Sequence, residues 1–448
     1  MAAGRLRPAQ KMKELDRDLT QRLAALREQG LFRQLRRVDT PQSPRIEVEG
    51  RTLLNFSSND YLGLANEPAL KDAAIRAIEQ FGAGAGASRL ICGSMAPHHE
   101  LEEALAAFKG TPAALSFATG YAAAFGTIGA LVGPDDVIVL DKLVHACIVD
   151  AARLSGAKLR VFDHNDAADL ERILRWSQAR SPKPRTLIVT ESVFSMDGDH
   201  APLRKIVSLK EQYDAWLMVD EAHATGLYGA NRRGLAEELG VSDGIEVQMG
   251  TLGKAVGASG GYICGSRALI DYLINRARTF IFSTAPVPAA AAAAAAGIRF
   301  VQSDAGEERR NVLWQRVSEL FSPERRHVAG LDGSDDLSRQ HAGAPDSKVP
   351  GIEAAPRPSA FRSAILPLLV GDEGQAVAAA AALRDRGIFI PAIRYPTVAR
   401  GHARLRLTIT AAHTQADLDQ LLAALTTLRL GLRTSDFSLA HSPHAPAG

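Results

Sequence analysis

Cysteine is scarce: the three in this 448-residue chain, Cys92, Cys147 and Cys264, are odd in number and far apart. That excludes a disulfide framework and any cysteine-based metal motif, so a reducing, cytoplasmic setting with no bound metal is expected. Excess charge of one sign is also missing. A net charge of +2 over this length gives no field to steer the chain toward nucleic acid or an anionic membrane surface. No apolar run is long enough to span a bilayer: the nearest, PVPAAAAAAAAGIRF at 286–300, reads as an alanine-rich soluble helix. The first thirty residues, MAAGRLRPAQKMKELDRDLTQRLAALREQG, lack the apolar core of a secretory leader and read as an exposed amphipathic helix.

What is present is ample apolar and moderate charged content, 46% and 23%, as in globular proteins of two or three units. Between residues 100 and 265, helix-like stretches alternate with short apolar runs. These runs are ALSFA (114–118), DVIVL (136–140), KLRVF (158–162), TLIVT (186–190), WLMVD (216–220), VQMG (247–250) and GYICG (261–265). Strand and helix in repeated alternation predict βαβ units, and so an α/β fold with a large, mostly parallel seven-stranded sheet covered on both faces. A smaller C-terminal α/β unit follows, from ILPLLVGD to ADLDQLLAALTTL. The expected divisions are an N-terminal helical arm (1–53), a large domain (54–296), a small domain (297–432) with an exposed connection (322–360), and a disordered tail (433–448).

In open α/β sheets, chemistry gathers in the loops leaving the C-terminal strand ends. WLMVD ends in DEAHATG, which sets Asp220 at the sheet's mouth and His223 three residues on. TLIVT leads to Ser195, DVIVL to His145, and ALSFA to Gly120 and Tyr121 at a helix start, where backbone N–H groups attract a phosphate. Two glycine motifs are rejected. GAGAGA (82–87) follows a helix where a dinucleotide site needs a strand, and GTLGKA has Gln248 and Ala255 where a P-loop needs glycine and Ser or Thr.

The segment MGTLGKAVGASGG (249–261) surrounds Lys254 with five glycines and follows a strand of the same sheet. An amine is nucleophilic only when neutral, which burial promotes, and small neighbours give a flat ring room against the backbone. A lysine, an acid for a ring nitrogen, a helix start for a phosphate and a histidine to stack on the ring are the components of a pyridoxal phosphate site.

In LNFSSNDYLGL, GASRLICGSMAPHHELEEALA, VTESVFSMDGD, DEAHATG, GTLGKAVGASGG, STAPVP and AIRYPTVARGHARLRLTITAAH, ordered from 54 to 413, the chain resembles the α-oxoamine synthases. These are pyridoxal phosphate enzymes of fold type I. The resemblance implies that Lys254 carries the cofactor and moves the proton, Asp220 pairs with its ring nitrogen and His145 stacks on its ring. It implies that Ser195 and His223 lie near the ring's phenolic oxygen. Gly120, Tyr121 and Thr251 would hold the phosphate, with Ser283 and Thr284 from the partner of a homodimer. Asn59 and Arg406 would hold an amino-acid carboxylate beside His145, and Arg36 and Thr397 would contact the acyl substrate. The reaction implied is decarboxylative condensation of L-alanine with a pimeloyl thioester, carried on CoA or an acyl carrier protein. Tyr395 in IRYPTV also fits glycine-using sisters that make aminoketobutyrate or aminolevulinate, and another class of relative is a catalytically silent partner subunit, which would lack Lys254.

Overall fold

The computed structural model describes residues 8–320 and 362–428. The expected connection at 322–360 and tail at 433–448 lie outside the described residues. Seven strands form the central sheet: β3 (Ala113–Phe117), β4 (Val137–Asp141), β5 (Lys158–Phe162), β6 (Thr186–Glu191), β7 (Trp216–Asp220), β8 (Val247–Thr251) and β9 (Gly261–Gly265). Their order is β3-β9-β8-β7-β6-β4-β5. Every pairing is parallel except those of β9, which runs antiparallel to both β3 and β8. The expected strands are all present, each within one residue of its sequence-predicted position. Every residue of β3, β4, β6 and β9 is buried, because helices cover both faces; β7 and β8 each have one partly exposed end residue, and the edge strand β5 is the most open.

Two small sheets flank this one. The hairpin β1 (Arg45–Val48) and β2 (Arg51–Asn55) is joined by β11 (Ile388–Phe389), which runs parallel to β2. In the C-terminal unit, β13 (Ala403–Thr408) lies between β10 (Ile365–Gly371) and β12 (Ala392–Ile393), antiparallel to both. The pairing of β2 with β11 ties an early segment to a late one, which strand-by-strand reading could not foresee. The divisions expected after residues 53 and 296 fall inside β2 and inside the helix Pro288–Gln302. That alanine-rich helix packs on Pro68–Phe81 and Ala96–Lys109. Its Gly297 faces the Val256 carbonyl so closely that no side chain fits, so the helix floor and the Lys254 loop meet backbone to backbone. In the N-terminal helix Pro8–Glu28, residues 13–28 are exposed, as expected from the charge pattern. No helix among the described residues is long and apolar enough to cross a membrane.

Beneath the sheet's mouth, Lys109 and Glu221 form a wholly buried ion pair at 2.6 Å. The Lys109 amine also donates to Arg233 O, and the other Glu221 oxygen accepts from Ala236 N at 2.9 Å. Removing one member strands a buried charge, so Lys109→Ala is expected to cost about 3–5 kcal/mol of stability. Urea unfolding checks this, and a change below about 1 kcal/mol would contradict it.

Candidate active site

Lys254 lies in the loop that turns β8 back into β9. The loop is closed by Leu252 N donating to Gly260 O at 2.9 Å, Ala258 N to Leu252 O at 2.8 Å and Gly257 N to Lys254 O at 2.8 Å. Three of the five glycines around the lysine are hemmed in by the protein itself, while a Cβ at Gly253, next to Lys254, would meet nothing nearer than 3.7 Å. Gly257 has φ 72°, and a Cβ there would lie 2.5 Å from Leu64 Cβ. Gly250 abuts the Tyr262 phenol, and a Cβ at Gly261 would lie 2.5 Å from both Gly120 N and Gly120 Cα. Small residues are needed at these positions because other backbone and side chains already fill the space.

The close approach of Gly261 to Gly120 fixes the start of the helix Gly120–Leu131 against the sheet edge. Thr119 caps this helix, its hydroxyl accepting from Ala122 N at 3.0 Å. Thr251 lies beside Gly120, donating its hydroxyl to Gly260 O at 2.9 Å and accepting from Gly253 N at 3.3 Å. The helix's first N–H groups and the Thr251 hydroxyl therefore converge on one spot, a geometry suited to a phosphate. The Tyr121 phenol is directed elsewhere: it is half exposed and donates to Asp150 at 2.8 Å.

A chain of short contacts leads from the lysine into the C-terminal unit. Lys254 Nζ lies 2.6 Å from His223 Nε2, and His223 Nδ1 lies 2.6 Å from the Tyr61 hydroxyl. Arg406, on β13, donates to that hydroxyl at 3.4 Å, to Ser195 O at 2.6 Å, to Asn59 Oδ1 at 3.0 Å and to Thr408 Oγ1 at 3.1 Å. Burial lowers the Lys254 amine to about 8, against the opposing pull of Asp220 and Glu191. Burial also keeps His223 well below its usual range, reinforced by the cationic Lys254 and Arg406, so the imidazole is neutral.

Asp220 and Glu191 are register partners on adjacent parallel strands, both buried. Glu191 accepts from Ser195 N at 3.1 Å through one oxygen. Its other oxygen has no partner among the described residues. Burial, with Asp220 next to it, pushes the Glu191 carboxyl well up. Asp220 is raised by burial too, but Lys254 lowers it, and its carboxylate accepts from Ala222 N at 2.9 Å. Burial holds both carboxyls above their ordinary range, and ionising one makes ionising the other harder.

His145 is the N-cap of Ala146–Leu154, its Nδ1 accepting from Cys147 N at 3.2 Å. Partial burial lowers its pKa, while Asp220 raises it and Lys254 lowers it further. The structure thus gathers Lys254, His223, Asp220, Ser195, Asn59 and Arg406 at the sheet's mouth, with His145 beside them. Arg36 instead pairs with Glu49 at 3.0 Å on the surface, and Thr397 is exposed in a turn, its N donating to Arg394 O at 2.9 Å. Ser283 and Thr284 are exposed, with Thr284 bridged to Ser88. Two residues of this cluster carry no motif-level signal of their role. Tyr61 is quoted within LNFSSNDYLGL without one, and Glu191 lies one position past the expected end of its strand.

These donors fit pyridoxal phosphate. A half-buried amine of lowered basicity, a buried carboxyl group for a cationic ring nitrogen, and a helix N-terminus beside a hydroxyl for a phosphate occupy one strand-end cleft.

The aminotransferase class I and II family model matches residues 51–326 and 351–425. Curated 8-amino-7-oxononanoate synthases are similar over most of both chains. That of Geotalea daltonii is 45% identical over 90% of this chain and 95% of its own. That of Herminiimonas arsenicoxydans is 45% identical over 91% and 98%, and that of Anaeromyxobacter dehalogenans 46% identical over 90% and 93%. Among solved structures, the serine palmitoyltransferase of Sphingomonas wittichii superposes with a TM-score of 0.79 at 29% identity, covering 92% of this chain and 96% of that one. A serine palmitoyltransferase carrying PLP gives 0.79 at 28%, covering 93% and 97%. The 8-amino-7-oxononanoate synthase of Francisella tularensis gives 0.66 at 26%, covering 84% and 98%. Sequence and architecture agree that this chain belongs to the aminotransferase class I and II family, among its pyridoxal phosphate-dependent α-oxoamine synthases.

Proposed function

We propose that the chain joins L-alanine to a pimeloyl thioester, releasing CO2 and the thiol carrier and forming 8-amino-7-oxononanoate in biotin biosynthesis. The observation that carries the chemistry is Lys254, a half-buried amine whose pKa is lowered to about 8 and which lies 2.6 Å from His223. The substrate pair rests on the relatives of 44–48% identity over about 90% of the chain.

Pyridoxal phosphate, when bound, supplies the electron sink that makes the alanine α-carbon acidic. The helix start at Gly120 and Tyr121, with Thr251, would hold its phosphate; Asp220 would pair with its ring nitrogen, His145 would stack on its ring, and Ser195 and His223 would lie near its phenolic oxygen. Arg406 and Asn59 receive the alanine carboxylate, because a guanidinium fork is the expected clamp for that group. Lys254 Nζ takes the α-proton. The new carbon–carbon bond then forms at the thioester carbonyl carbon, and the thiol carrier departs. After the alanine carboxyl group leaves as CO2, the same Nζ returns a proton to the carbon that carried it. Arg36 and Thr397 contact the acyl chain. They lie on segments already joined, since Arg33 donates to Tyr395 O at 2.7 Å and Arg394 donates to Gly30 O and Phe32 O. Ser283 and Thr284, exposed on this chain, reach the phosphate of a partner subunit's site in a cytoplasmic homodimer. The carrier is CoA or an acyl carrier protein. The arm, the sheet domain and the C-terminal domain are read as expected from the sequence, divided after residues 53 and 296.

The test is thiol release from pimeloyl thioester by the protein loaded with pyridoxal phosphate, offered L-alanine, glycine or serine in turn. Turnover with L-alanine alone, giving a nine-carbon product in which the seven-carbon pimeloyl chain is extended by the α- and β-carbons of alanine, is expected. Faster turnover of glycine with acetyl or succinyl thioester would assign the chain to the glycine-using reaction that Tyr395 also fits.

A further inference from the structure

Tyr61 stands at the middle of the contact chain that links Arg406 to Lys254, and the donors along it are assigned from the Arg406 end. Arg406 has only N–H groups to offer, so at its 3.4 Å contact it donates and the Tyr61 oxygen accepts. The single phenolic hydrogen then has two possible acceptors, Asn59 Oδ1 at 3.4 Å and His223 Nδ1 at 2.6 Å. Asn59 Oδ1 already accepts from Arg406 at 3.0 Å, and the shorter contact takes the hydrogen. Burial raises the Tyr61 phenol above its usual range, so it keeps that hydrogen across the working pH range. His223 is neutral and carries one ring hydrogen. With Nδ1 accepting, that hydrogen lies on Nε2, facing Lys254 Nζ at 2.6 Å.

We propose that Tyr61 is a positioning residue which fixes His223 in the tautomer bearing hydrogen on Nε2, so that the imidazole donates to the Lys254 amine and favours its neutral form. The inference rests on the reading of Lys254 as the reacting amine, and goes beyond it by assigning what prepares that amine. An ammonium at Lys254 has no lone pair to accept from Nε2–H; a neutral amine has one. The tautomer therefore biases the amine in the same direction as burial. The other charged groups facing Lys254 are Asp220 on β7 and Glu191 on β6, which favour its charged form, Arg406 on β13, which opposes it, and Cys147 on the helix Ala146–Leu154. His145, at that helix's N-cap, faces His223. None of them contacts His223 Nδ1 as Tyr61 does.

Tyr61→Phe removes the donor and keeps the ring. Nδ1 is then free to take the hydrogen, Nε2 becomes an acceptor, and a charged Lys254 gains a partner. The protein without added cofactor is the sample for two measurements. Histidine-selective nitrogen NMR, with the His223 signals assigned by their loss in His223→Gln, is expected to show a pyridine-type Nδ1 and a pyrrole-type Nε2 in the wild type, and the reverse or a mixture in Tyr61→Phe. The pH dependence of Lys254 labelling by an amine-directed acylating reagent, read by peptide mass spectrometry, is expected to have its midpoint near about 8 in the wild type. In Tyr61→Phe the midpoint moves upward by about one pH unit, the worth of one hydrogen bond to a charged group. A pyrrole-type Nδ1 in the wild type overturns the proposal, and that spectrum needs no variant to fold. An unchanged tautomer and midpoint in folded Tyr61→Phe overturns it as well. Neither measurement depends on turnover, so failure of the alanine assay would leave this result standing, and the reverse.

Discussion

Lys254→Ala is expected to lower turnover of L-alanine and pimeloyl thioester by about 10³- to 10⁴-fold, the range associated with a positioned proton-transfer group. The visible absorption that the wild type gains on adding pyridoxal phosphate is expected to vanish in the same variant. Both losses follow from one atom, since Nζ is, among the described residues, the amine at the junction of Asp220, His223 and the phosphate-suited helix start. The fold is not at risk. The lysine sits on a loop closed by its own backbone hydrogen bonds, and its removal relieves a half-buried amine whose charged form is already disfavoured. A thermal melt at or above that of the wild type, together with lost absorption and lost product, is the expected combination. Retained turnover would remove Lys254 from its assigned role, and an unfolded variant would show that the loop depends on the side chain.

Asp220→Asn is expected to reduce turnover by about 10²- to 10³-fold, the scale of removing one preorganised electrostatic partner from a dry site. The substitution keeps the shape and keeps an oxygen to accept from Ala222 N, so only the charge changes. Stability is expected to move the opposite way. The Asp220 carboxyl has a folded pKa above its ordinary value, because burial outweighs the attraction of Lys254. The folded state therefore binds that proton more tightly than the unfolded state does, and ionisation at neutral pH weakens the fold. The asparagine variant escapes this cost at pH 7, and its advantage shrinks as the pH falls through the raised folded value and is gone well below 3.8, where the acid is protonated in both states. Unfolding at the two pH values, alongside product formation, reads both effects. Equal activity in the two proteins would show that the charge at Asp220 is not used.

Much of this was legible in the chain because the strands of a covered parallel sheet are near-continuous apolar runs, and catalytic side chains sit where such runs stop. DVIVL, TLIVT and WLMVD each located a strand to within a residue, and Asp220 and His223 follow directly from the last of them. Tyr61 and Glu191 were not legible as members of the cluster. Glu191 matters through its register with Asp220 on a neighbouring strand, and Tyr61 through a residue 345 positions away in sequence. Pairing between distant segments is not encoded in local period or spacing. The packing of three of the glycines near Lys254 was hidden for a related reason. Their number signals close approach, but only the fold shows that the approaching groups are Leu64, Tyr262 and the Gly120 backbone.

Arg406 has a further consequence, which follows from counting its protons. A guanidinium carries five N–H hydrogens, and Ser195 O, Asn59 Oδ1, Thr408 Oγ1 and the Tyr61 oxygen already engage four of them. A carboxylate arriving at this side chain with a two-pronged grip must displace at least one of those acceptors. Three of the four, Ser195, Asn59 and Tyr61, belong to the sheet domain and its entry segment, while Arg406 belongs to a strand of the C-terminal unit. An amino acid bound there would compete with the fastening between these segments, so that the grip on such a ligand and the tightness of that seam would form a single equilibrium.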